Sequence, residues 1–509
     1  IGTSVAGRHD EALNNLVGFF VNLLVLRTDT SGDPSFHQLL DRVRETDLAI
    51  YSHQEVPFER LVNMVNPLRQ SSQHPLFQVA MVLQNNRDAS VSMPDLAVRT
   101  EFLPLGTAKY DLTFEFVEQS DPDGSARGLS CNIEYMVDLY DRVTVDGFAE
   151  KLARLIKTVT KRPDLPLSRV DLLGEEERDR LLNKWNGTAR SVPSGTLPDL
   201  FAAQAARDPD AVVASDGERT LNYGELDRRA NRLAHYLQGL GVGPDVLVGL
   251  CMERSLDLLV AMLAIVKAGG AYLSLDPEHP AERLAAILNE SMAPIVLTEA
   301  ALRDRLPAHW GLMLVLDEQA AEIDAQPELA PPHGLQDEHL AYATYTSGST
   351  GAPKGIVVTQ RNVIDLAFDH RWQDGGERRL LLHAPLAFDA STFEIWVPLL
   401  RGWRIVVAPR GKIGARELAR AVVEGGITDL WVTAGLFHLM VDDHVESFSG
   451  LRRVISGGEV LSPPHVAKLL AACPQLTMCN AYGPTETTTF ATLHPMRAGS
   501  QPAGALPIG

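Results

Sequence analysis

The sequence predicts an α/β protein of more than one domain, and three observations support this prediction. Its 509 residues exceed what a single hydrophobic core usually organises. Before residue 160, short strand-like runs alternate with turn-rich segments. After residue 197, helix-length segments alternate with short apolar runs, which is typical of a layered α/β domain.

The first part opens with a predicted amphipathic helix. Asp33 offers a helix cap and Pro34 fits the first helical position. The apolar face of this helix comprises Phe36, Leu39, Leu40 and Val43. Strand-like runs follow at 76–84, 110–116 and 129–137. We therefore expect mixed α and β structure up to a helix that ends near Lys161.

A connector separates this part from a second domain. Residues 161–195 are rich in Pro, Gly and charge and predict a linker with one short helix. We place the first domain at 1–165, the linker at 166–196 and the second domain at 197–509. In the second domain Asn222 and Glu225 form a capping-box-like start, followed by the stripe Leu226, Leu233, Leu237 and Leu240, which ends at Gly241. Strands are predicted in the runs 246–251, 293–298, 312–317, 379–384, 404–409 and 453–458.

Composition excludes several classes of function. A formal net charge of -19 disfavours binding to a nucleic-acid backbone, which needs clustered positive charge. Four cysteines without a CxxC pair give no metal spacing and fit a reducing, cytoplasmic setting. The longest apolar stretch, 258–275, is interrupted by Lys267 and two glycines, so we predict no transmembrane helix. The chain begins without a start methionine or signal-like segment, from which we expect a cut inside a longer protein.

A loop dense in Gly, Ser and Thr carries the strongest chemical signal. The strand-like run from Leu340 leads into a segment with one lysine, Lys354, and its donors can surround an oxyanion: Thr346, Ser347, Gly348, Ser349, Thr350 and Gly351. The spacing differs from a Walker A loop, because Lys354 precedes Gly355 instead of Ser or Thr. A flexible surface turn is the simpler alternative. We favour a phosphate-binding loop.

This loop resembles the signature of adenylate-forming enzymes, which include acyl-CoA ligases, luciferases and the adenylation domains of peptide synthetases. Four further segments resemble the ordered core motifs of amino-acid adenylation domains: LNYGEL (221–226), VKAGGAYLSLD (266–276), AFDAST (387–392) and NAYGPTE (480–486). Ser274 departs from the usual Pro. Upstream, LVGFFVNLLVLR (16–27), SHQEVPFE (52–59) and HPLFQVAMVLQN (74–85) resemble C-terminal motifs of condensation domains. Together these segments resemble a nonribosomal peptide synthetase.

The resemblance implies the fold and the ATP site. It predicts the C-terminal lobe of a condensation domain, an acetyltransferase-like α/β sandwich, followed by the layered α/β large subdomain of an adenylate-forming enzyme. ATP is the implied nucleotide and Mg²⁺ its metal, with Glu486 as the metal ligand and Thr485 at the α-phosphate. Thr346 to Lys354 are expected to bind the triphosphate. The implied nucleotide-binding residues beyond this loop are Gly457, Gly458, Glu459, Asn480, Ala481, Tyr482 and Gly483, with Tyr482 stacking on adenine.

The resemblance also implies an amino-acid pocket. Asp389 is expected to bind the α-ammonium group, although a helix cap is its simpler interpretation. The remaining pocket residues would be Ala390, Phe393, Trp431, Ile455, Gly457, Ala481, Thr489 and Phe490. Apart from Asp389 and Thr489 the set is apolar, so we expect an aliphatic substrate, with valine favoured. The alternative is that Trp431 and Phe490 are ordinary core aromatics that point elsewhere.

The upstream part is expected to act as a scaffold. The family's HHxxxDG motif would precede Ile1, and His53 and His74 are interpreted as structural. The implied partner is a carrier protein bearing phosphopantetheine, which this chain does not contain. Because the family's later adenylation motifs would follow Gly509, we expect slow turnover from this chain alone. Two alternatives remain: a nucleotide-binding scaffold without turnover, and an enzyme similar to acyl-CoA ligases.

Overall fold

The computed structural model describes residues 1–8, 11–13, 16–67, 74–84, 106–121, 125–217, 219–347, 353–373, 375–499 and 504–509. The chain divides into two compact units, Ile1–Ala189 and Arg190–Gly509. Both mix helices with strands, which confirms the predicted α/β class. Among the described residues, the helices are all too short or too polar to cross a bilayer.

The first unit is built on one mixed sheet. Its strands are β1 (Gly2–Val5), β2 (Asn22–Val25), β3 (Val79–Gln84), β4 (Leu112–Ser120) and β5 (Ala126–Tyr135), and its helices are α1 (Phe36–Tyr51), α2 (Phe58–Val65), α3 (Arg142–Lys161) and α4 (Glu175–Asp179). The strand order in the described residues is β2-β1-β3-β4-β5. The pairs β1/β3 and β3/β4 are parallel, whereas both outer pairs are antiparallel.

The predicted start of α1 is wrong by two residues. Ser35 is the N-cap, because its hydroxyl accepts from the Gln38 N–H while the Gln38 side chain accepts from the Ser35 N–H. Asp33 instead adopts a left-handed backbone conformation, and its carboxylate accepts hydrogen bonds from the Ser168 hydroxyl and N–H. The Asp33 carboxylate, which the sequence predicts to cap the helix, is therefore bound by Ser168, a residue distant in sequence.

His74 lies in an aromatic cluster of the first unit. Its ring centroid is 4.1 Å from that of Phe77 and 5.1 Å from that of Tyr110. Burial lowers the pKa of His74, so the imidazole is neutral near pH 7. This environment is that of a packed core ring, in line with the structural role expected from the sequence.

The second unit contains two sheets within its described residues. Its helices are α5 (Leu197–Arg207), α6 (Tyr223–Gly239), α7 (Leu256–Lys267), α8 (Ala281–Ser291), α9 (Ala320–Asp324), α10 (Gln360–Ala367), α11 (Ala390–Arg401), α12 (Ala415–Glu424), α13 (Ala434–Asp443) and α14 (Pro463–Ala472). Its strands are β6 (Val212–Asp216), β7 (Arg219–Asn222), β8 (Leu247–Cys251), β9 (Ala271–Ser274), β10 (Ile295–Thr298), β11 (Leu312–Val315), β12 (Leu340–Ser347), β13 (Pro353–Thr359), β14 (Arg379–Leu382), β15 (Arg404–Val407), β16 (Asp429–Thr433), β17 (Arg453–Gly457), β18 (Thr477–Tyr482) and β19 (Thr492–Met496). One sheet has the order β11-β10-β8-β9-β12-β13 and the other β19-β18-β17-β16-β14-β15-β6-β7.

One buried cluster joins the two sheets of this unit. It includes residues of both sheets together with α6, α7 and α11, and nearly every residue of α7 and α11 is buried. The start of α6 agrees with the sequence, since the Asn222 side chain accepts from the Glu225 N–H at 2.7 Å. Leu240, however, lies beyond α6 and is exposed, so the predicted apolar stripe ends at Leu237.

Candidate functional site

The candidate site lies where three parallel strands end. In the register of β16, β17 and β18, Thr433 lies opposite Gly457, and Gly457 lies opposite Ala481. Trp431 and Ile455 are paired two residues earlier, so they point to the same face of the sheet. Ligands of open α/β sheets bind at such carboxyl ends.

A cavity of about 200 Å³ opens at this edge. Seven of the nine predicted pocket residues line it: Asp389, Ala390, Trp431, Gly457, Ala481, Thr489 and Phe490. Phe393 lies behind the wall, where its ring centroid is 5.3 Å from that of Phe490 and 4.9 Å from that of Trp372. Ile455 is fully buried on β17, where it is paired with the cavity residue Trp431. These two residues therefore shape the cavity from behind.

Asp389 is not a side-chain cap. It occupies the N-cap position of α11, but its carboxylate accepts no capping hydrogen bond. Burial raises the pKa of Asp389, the neighbouring Glu486 raises it further, and a hydrogen bond from Thr485 lowers it. The backbone carbonyl of Asp389 accepts from the Thr489 hydroxyl at 2.8 Å. A partly buried carboxylate at a cavity wall can bind a cationic group.

The predicted phosphate-binding residues border the same region. Strands β12 and β13 form a hairpin in which Thr346 lies opposite Lys354. The Lys354 ammonium is 3.6 Å from the Glu486 carboxylate. Ser347 ends β12, whereas Gly348, Ser349, Thr350 and Gly351 lie outside the described residues. The structure thus brings Lys354, Glu486, Thr485 and Asp389 into one neighbourhood.

Two glycines allow the backbone to approach itself closely at the cavity. A Cβ on Gly457 would lie 2.1 Å from the carbonyl oxygen of Ala481. A Cβ on Gly483 would lie 2.4 Å from the carbonyl oxygen of Thr489. In the same turn Thr488 and Thr489 both have positive φ, an unfavourable conformation for β-branched residues. The chain stores backbone strain where it presents Thr489 to the cavity.

The residues expected around the adenine separate into exposed and buried positions. Tyr482 is 52% exposed, and Gly458 and Glu459 are exposed beyond the end of β17. Asn480 is buried, and its side-chain amide donates to the Pro507 carbonyl at 2.8 Å. In this structure Asn480 therefore holds the segment at 504–509, while Tyr482 presents an exposed ring.

Sequence reasoning missed several residues of this region. Thr433 and Phe388 line the cavity, and both also line a second, largely apolar cavity of about 380 Å³, with Trp431 between the two. Thr433 could have been found only from the strand register. Phe388 adjoins Asp389 in the AFDAST motif, which was a usable signal.

Two family descriptions match the chain. "Condensation domain" matches residues 1–182 and "AMP-binding enzyme" matches residues 201–507. One component of the linear gramicidin synthase of Brevibacillus parabrevis is 43% identical over 514 residues, covering 100% of this chain and 6% of that protein. The dimodular nonribosomal peptide synthase of Bacillus subtilis is 39% identical over 507 residues, covering 96% of this chain and 21% of that protein.

Solved structures show the same architecture. The AMPPNP-bound form of the nonribosomal peptide synthetase FmoA3 has a TM-score of 0.82 at 25% identity, covering 100% of this chain and 55% of that chain. Its form bound to alpha-methyl-L-serine-AMP has a TM-score of 0.80 at 26% identity, covering 100% and 57%.

The fold and the cavity define an adenylate-forming domain that follows a condensation domain. The chain belongs to the AMP-binding enzyme family, and its domain order is that of a nonribosomal peptide synthetase. Both resemblances drawn from the motifs are thereby confirmed. The second unit is an adenylation domain, of the class that activates amino acids for peptide synthesis. The chain spans only 6% to 21% of the curated relatives named above.

Proposed function

We propose that the second unit uses ATP to activate an amino acid as its aminoacyl adenylate. The observation that supports this best is the partly buried Asp389 carboxylate in the wall of a cavity that Thr485 also lines. An α-ammonium group would neutralise Asp389, and the substrate carboxylate would then face the nucleotide. Attack of that carboxylate on the α-phosphorus forms the mixed anhydride and releases pyrophosphate.

Asp389 distinguishes this activity from activation of fatty or aryl acids. A substrate without an ammonium group would leave the carboxylate buried and unpaired, which costs roughly 1–3 kcal/mol or more. This argument disfavours an activity like that of acyl-CoA ligases, because their acyl substrates carry no cation for this position.

We propose that the triphosphate is bound through three residues, Lys354, Thr346 and Glu486. Lys354 would leave its present partner Glu486, 3.6 Å away, and bind phosphate oxygens. Glu486 fits Mg²⁺, which prefers one or two carboxylates together with phosphate oxygens and water. A bound Mg²⁺ would neutralise the charge of the leaving pyrophosphate.

We propose valine as the amino acid. The cavity of about 200 Å³ is small, and the walls from Trp431, Ala481 and Phe490 are apolar. The rings of Phe393, Phe490 and Trp372 contact one another, so the wall cannot recede easily. A branched side chain of three or four carbons fits such a site. Isoleucine and 2-aminobutyrate should be poorer substrates, since one methylene is worth about 1–3 kcal/mol.

The first unit is proposed to act as a scaffold for the adenylation domain, with domain limits at 1–165, 166–196 and 197–509. In a complete assembly, the aminoacyl group would pass to the phosphopantetheine thiol of a carrier protein. Neither phosphopantetheine nor carrier is required for the adenylation step itself.

Equilibrium binding tests the proposal. Calorimetry should show that valyl-sulfamoyladenosine, a stable mimic of the adenylate, binds at least tenfold tighter than the phenylalanyl, glutamyl and lysyl analogues. Asp389→Asn should weaken the valyl analogue by about 100-fold and leave AMPPNP binding unchanged, because a charged hydrogen bond is lost.

Turnover is tested separately by isotope exchange between ATP and pyrophosphate. Valine should raise the exchange above the background measured without amino acid. Tight binding of the analogue without exchange from any amino acid would identify a nucleotide-binding scaffold instead. A preference for phenylalanine, glutamate or lysine would refute the assignment of the pocket.

A further inference from the structure

A short connection between β14 and α11 carries Asp389. It runs from His383 to Asp389, and its beginning is tied to helix α11 by the buried carboxyl group of Glu394. Oε2 of Glu394 accepts hydrogen bonds from the N–H groups of His383 and Ala384, each at 2.9 Å. Glu394 is fully buried and does not line the cavity. It acts on the cavity only through the backbone that it holds.

The same network reaches Trp431, which also lines the cavity. Nε2 of His383 donates to the carbonyl oxygen of Trp431 at 2.7 Å, and the two rings are stacked with centroids 6.1 Å apart. Burial lowers the pKa of His383 to about 4, so the imidazole is neutral and its single N–H lies on Nε2. Glu394 Oε1 is 3.3 Å from the same nitrogen.

Each part of the connection has its own anchor, and the backbone N–H groups at its beginning are held by Glu394. The middle is anchored by the Thr344 hydroxyl, which donates to the Ala387 carbonyl at 3.0 Å. The end is anchored by the Ser391 hydroxyl, which donates to the Phe388 carbonyl at 2.7 Å. The carbonyl of His383 accepts from Arg254 at 2.7 Å, but its N–H depends on Glu394.

We propose that Glu394 is a positioning residue for the amino-acid cavity, which holds Asp389 and Trp431 at their working separation through His383. The proposal rests on the proposed function, since it assumes that an amino acid occupies this cavity. Glu394 contacts no substrate. It fixes the wall that binds the ammonium group relative to the wall that bounds the side chain.

Replacement of Glu394 separates this role from simple stabilisation. In Glu394→Ala both backbone N–H groups lose their acceptor, so the connection shifts and the valyl-sulfamoyladenosine dissociation constant should rise about tenfold or more. The AMPPNP dissociation constant should stay within twofold of wild type. Glu394→Gln should bind the analogue like wild type, because the amide oxygen can accept both N–H groups.

Leu399→Ala is the matched control. Leu399 is buried in the same helix α11, lies ten residues beyond Asp389 and does not line the cavity. It should lower the unfolding temperature as Glu394→Ala does, yet leave binding of the aminoacyl analogue unchanged. If Glu394→Ala does not fold, Glu394→Asp replaces it, because the shortened carboxylate cannot reach both N–H groups.

Two results would overturn the proposal. In the first, Glu394→Ala or Glu394→Asp binds the aminoacyl analogue as tightly as wild type does. In the second, a Glu394 variant loses affinity for AMPPNP to the same degree as for the aminoacyl analogue. If wild type prefers another aminoacyl analogue from the panel, the same comparison is made with that analogue. That preference would refute valine as the substrate but would leave the proposed role of Glu394 unchanged. If wild type binds none of the analogues, the proposed function and this inference both fail.

Discussion

Trp372 lies behind the cavity wall and contacts two of the rings that form it. Its centroid is 4.9 Å from that of Phe393 and 6.3 Å from that of Phe490, and its Nε1 donates to the Leu366 carbonyl at 2.7 Å. The guanidinium of Arg453 lies 5.4 Å from the same ring. These contacts fix the indole, so the proposed limit on substrate size depends on a residue that no substrate touches.

Trp372→Phe should therefore widen specificity. The smaller ring leaves space into which Phe393 and Phe490 can recede, so binding of the isoleucyl relative to the valyl adenylate analogue should rise by about tenfold, the value of one methylene. Trp396→Phe is the matched control, because Trp396 is also fully buried and donates through Nε1, to the Tyr272 hydroxyl at 3.0 Å. Equal ratios in both variants would remove Trp372 from the determinants of specificity.

Glu394 should also give the second unit a pH-dependent stability. Burial raises the pKa of Glu394 from an ordinary 4.5 to about 8. An acid whose folded pKa is raised contributes stability that is complete below pH 4.5 and is lost as pH rises through 8. His383, whose pKa is lowered from 6.5, is present in both wild type and Glu394→Gln, so its contribution cancels in the difference between them, which belongs to Glu394.

The measurement is urea unfolding of wild type and Glu394→Gln from about pH 6.5 to 8. Tryptophan fluorescence reports the second unit, which contains five of the six tryptophans. Wild type should lose on the order of 2 kcal/mol relative to Glu394→Gln across this window, from about 1.36 kcal/mol per pH unit. Parallel curves would show that Glu394 is ionised in the folded protein.

At the scale of elements, local sequence signals predicted the positions of helices and strands better than they predicted which side chains and strands contact one another. Asn222 caps α6 because a capping side chain and its target lie three residues apart. Asp33 does not cap α1, because Ser168, distant in sequence, takes its carboxylate. The predicted runs at 246–251 and 453–458 contain β8 and β17, yet nothing local shows that β16 and β18 flank β17.

The same limit explains which site residues the sequence could supply. Asp389, Lys354 and Glu486 stand in motifs whose residue types are themselves informative. Thr433 lines the cavity because the parallel register places it opposite Gly457, and Trp372 supports the cavity wall from behind because its ring packs on Phe393. Register and packing are long-range properties, so single-sequence patterns do not contain them.

Asn222→Ala tests the strongest of these local signals. Loss of the cap leaves the Glu225 N–H without its side-chain acceptor and should destabilise the second unit by about 1 kcal/mol. Gln319→Ala is the control, because Gln319 occupies the N-cap position of α9 without a capping hydrogen bond. Urea unfolding should show a loss only for Asn222→Ala. Equal losses would mean that side-chain capping contributes nothing at α6.

At the scale of the whole chain, the two units differ in what they contribute to the site. Within the described part of the chain, the residues that line the cavity all lie between Phe388 and Phe490, in the second unit. That unit also has its own large buried clusters. Binding of the aminoacyl adenylate should therefore require the second unit alone.

Limited proteolysis tests this independence. Residues 182–191 form a continuous exposed stretch at the junction of the units and contain Lys184 and Arg190, two trypsin sites. Trypsin should cut here first and release a stable fragment that starts near residue 185 or 191. This fragment should bind valyl-sulfamoyladenosine within twofold of the intact chain, because the residues that line the cavity and the rings that support it all belong to the second unit. The control is Lys184→Gln combined with Arg190→Gln, which should delay the cut and leave affinity unchanged. A purified fragment that stays folded but loses the analogue would show that the first unit contributes to the site.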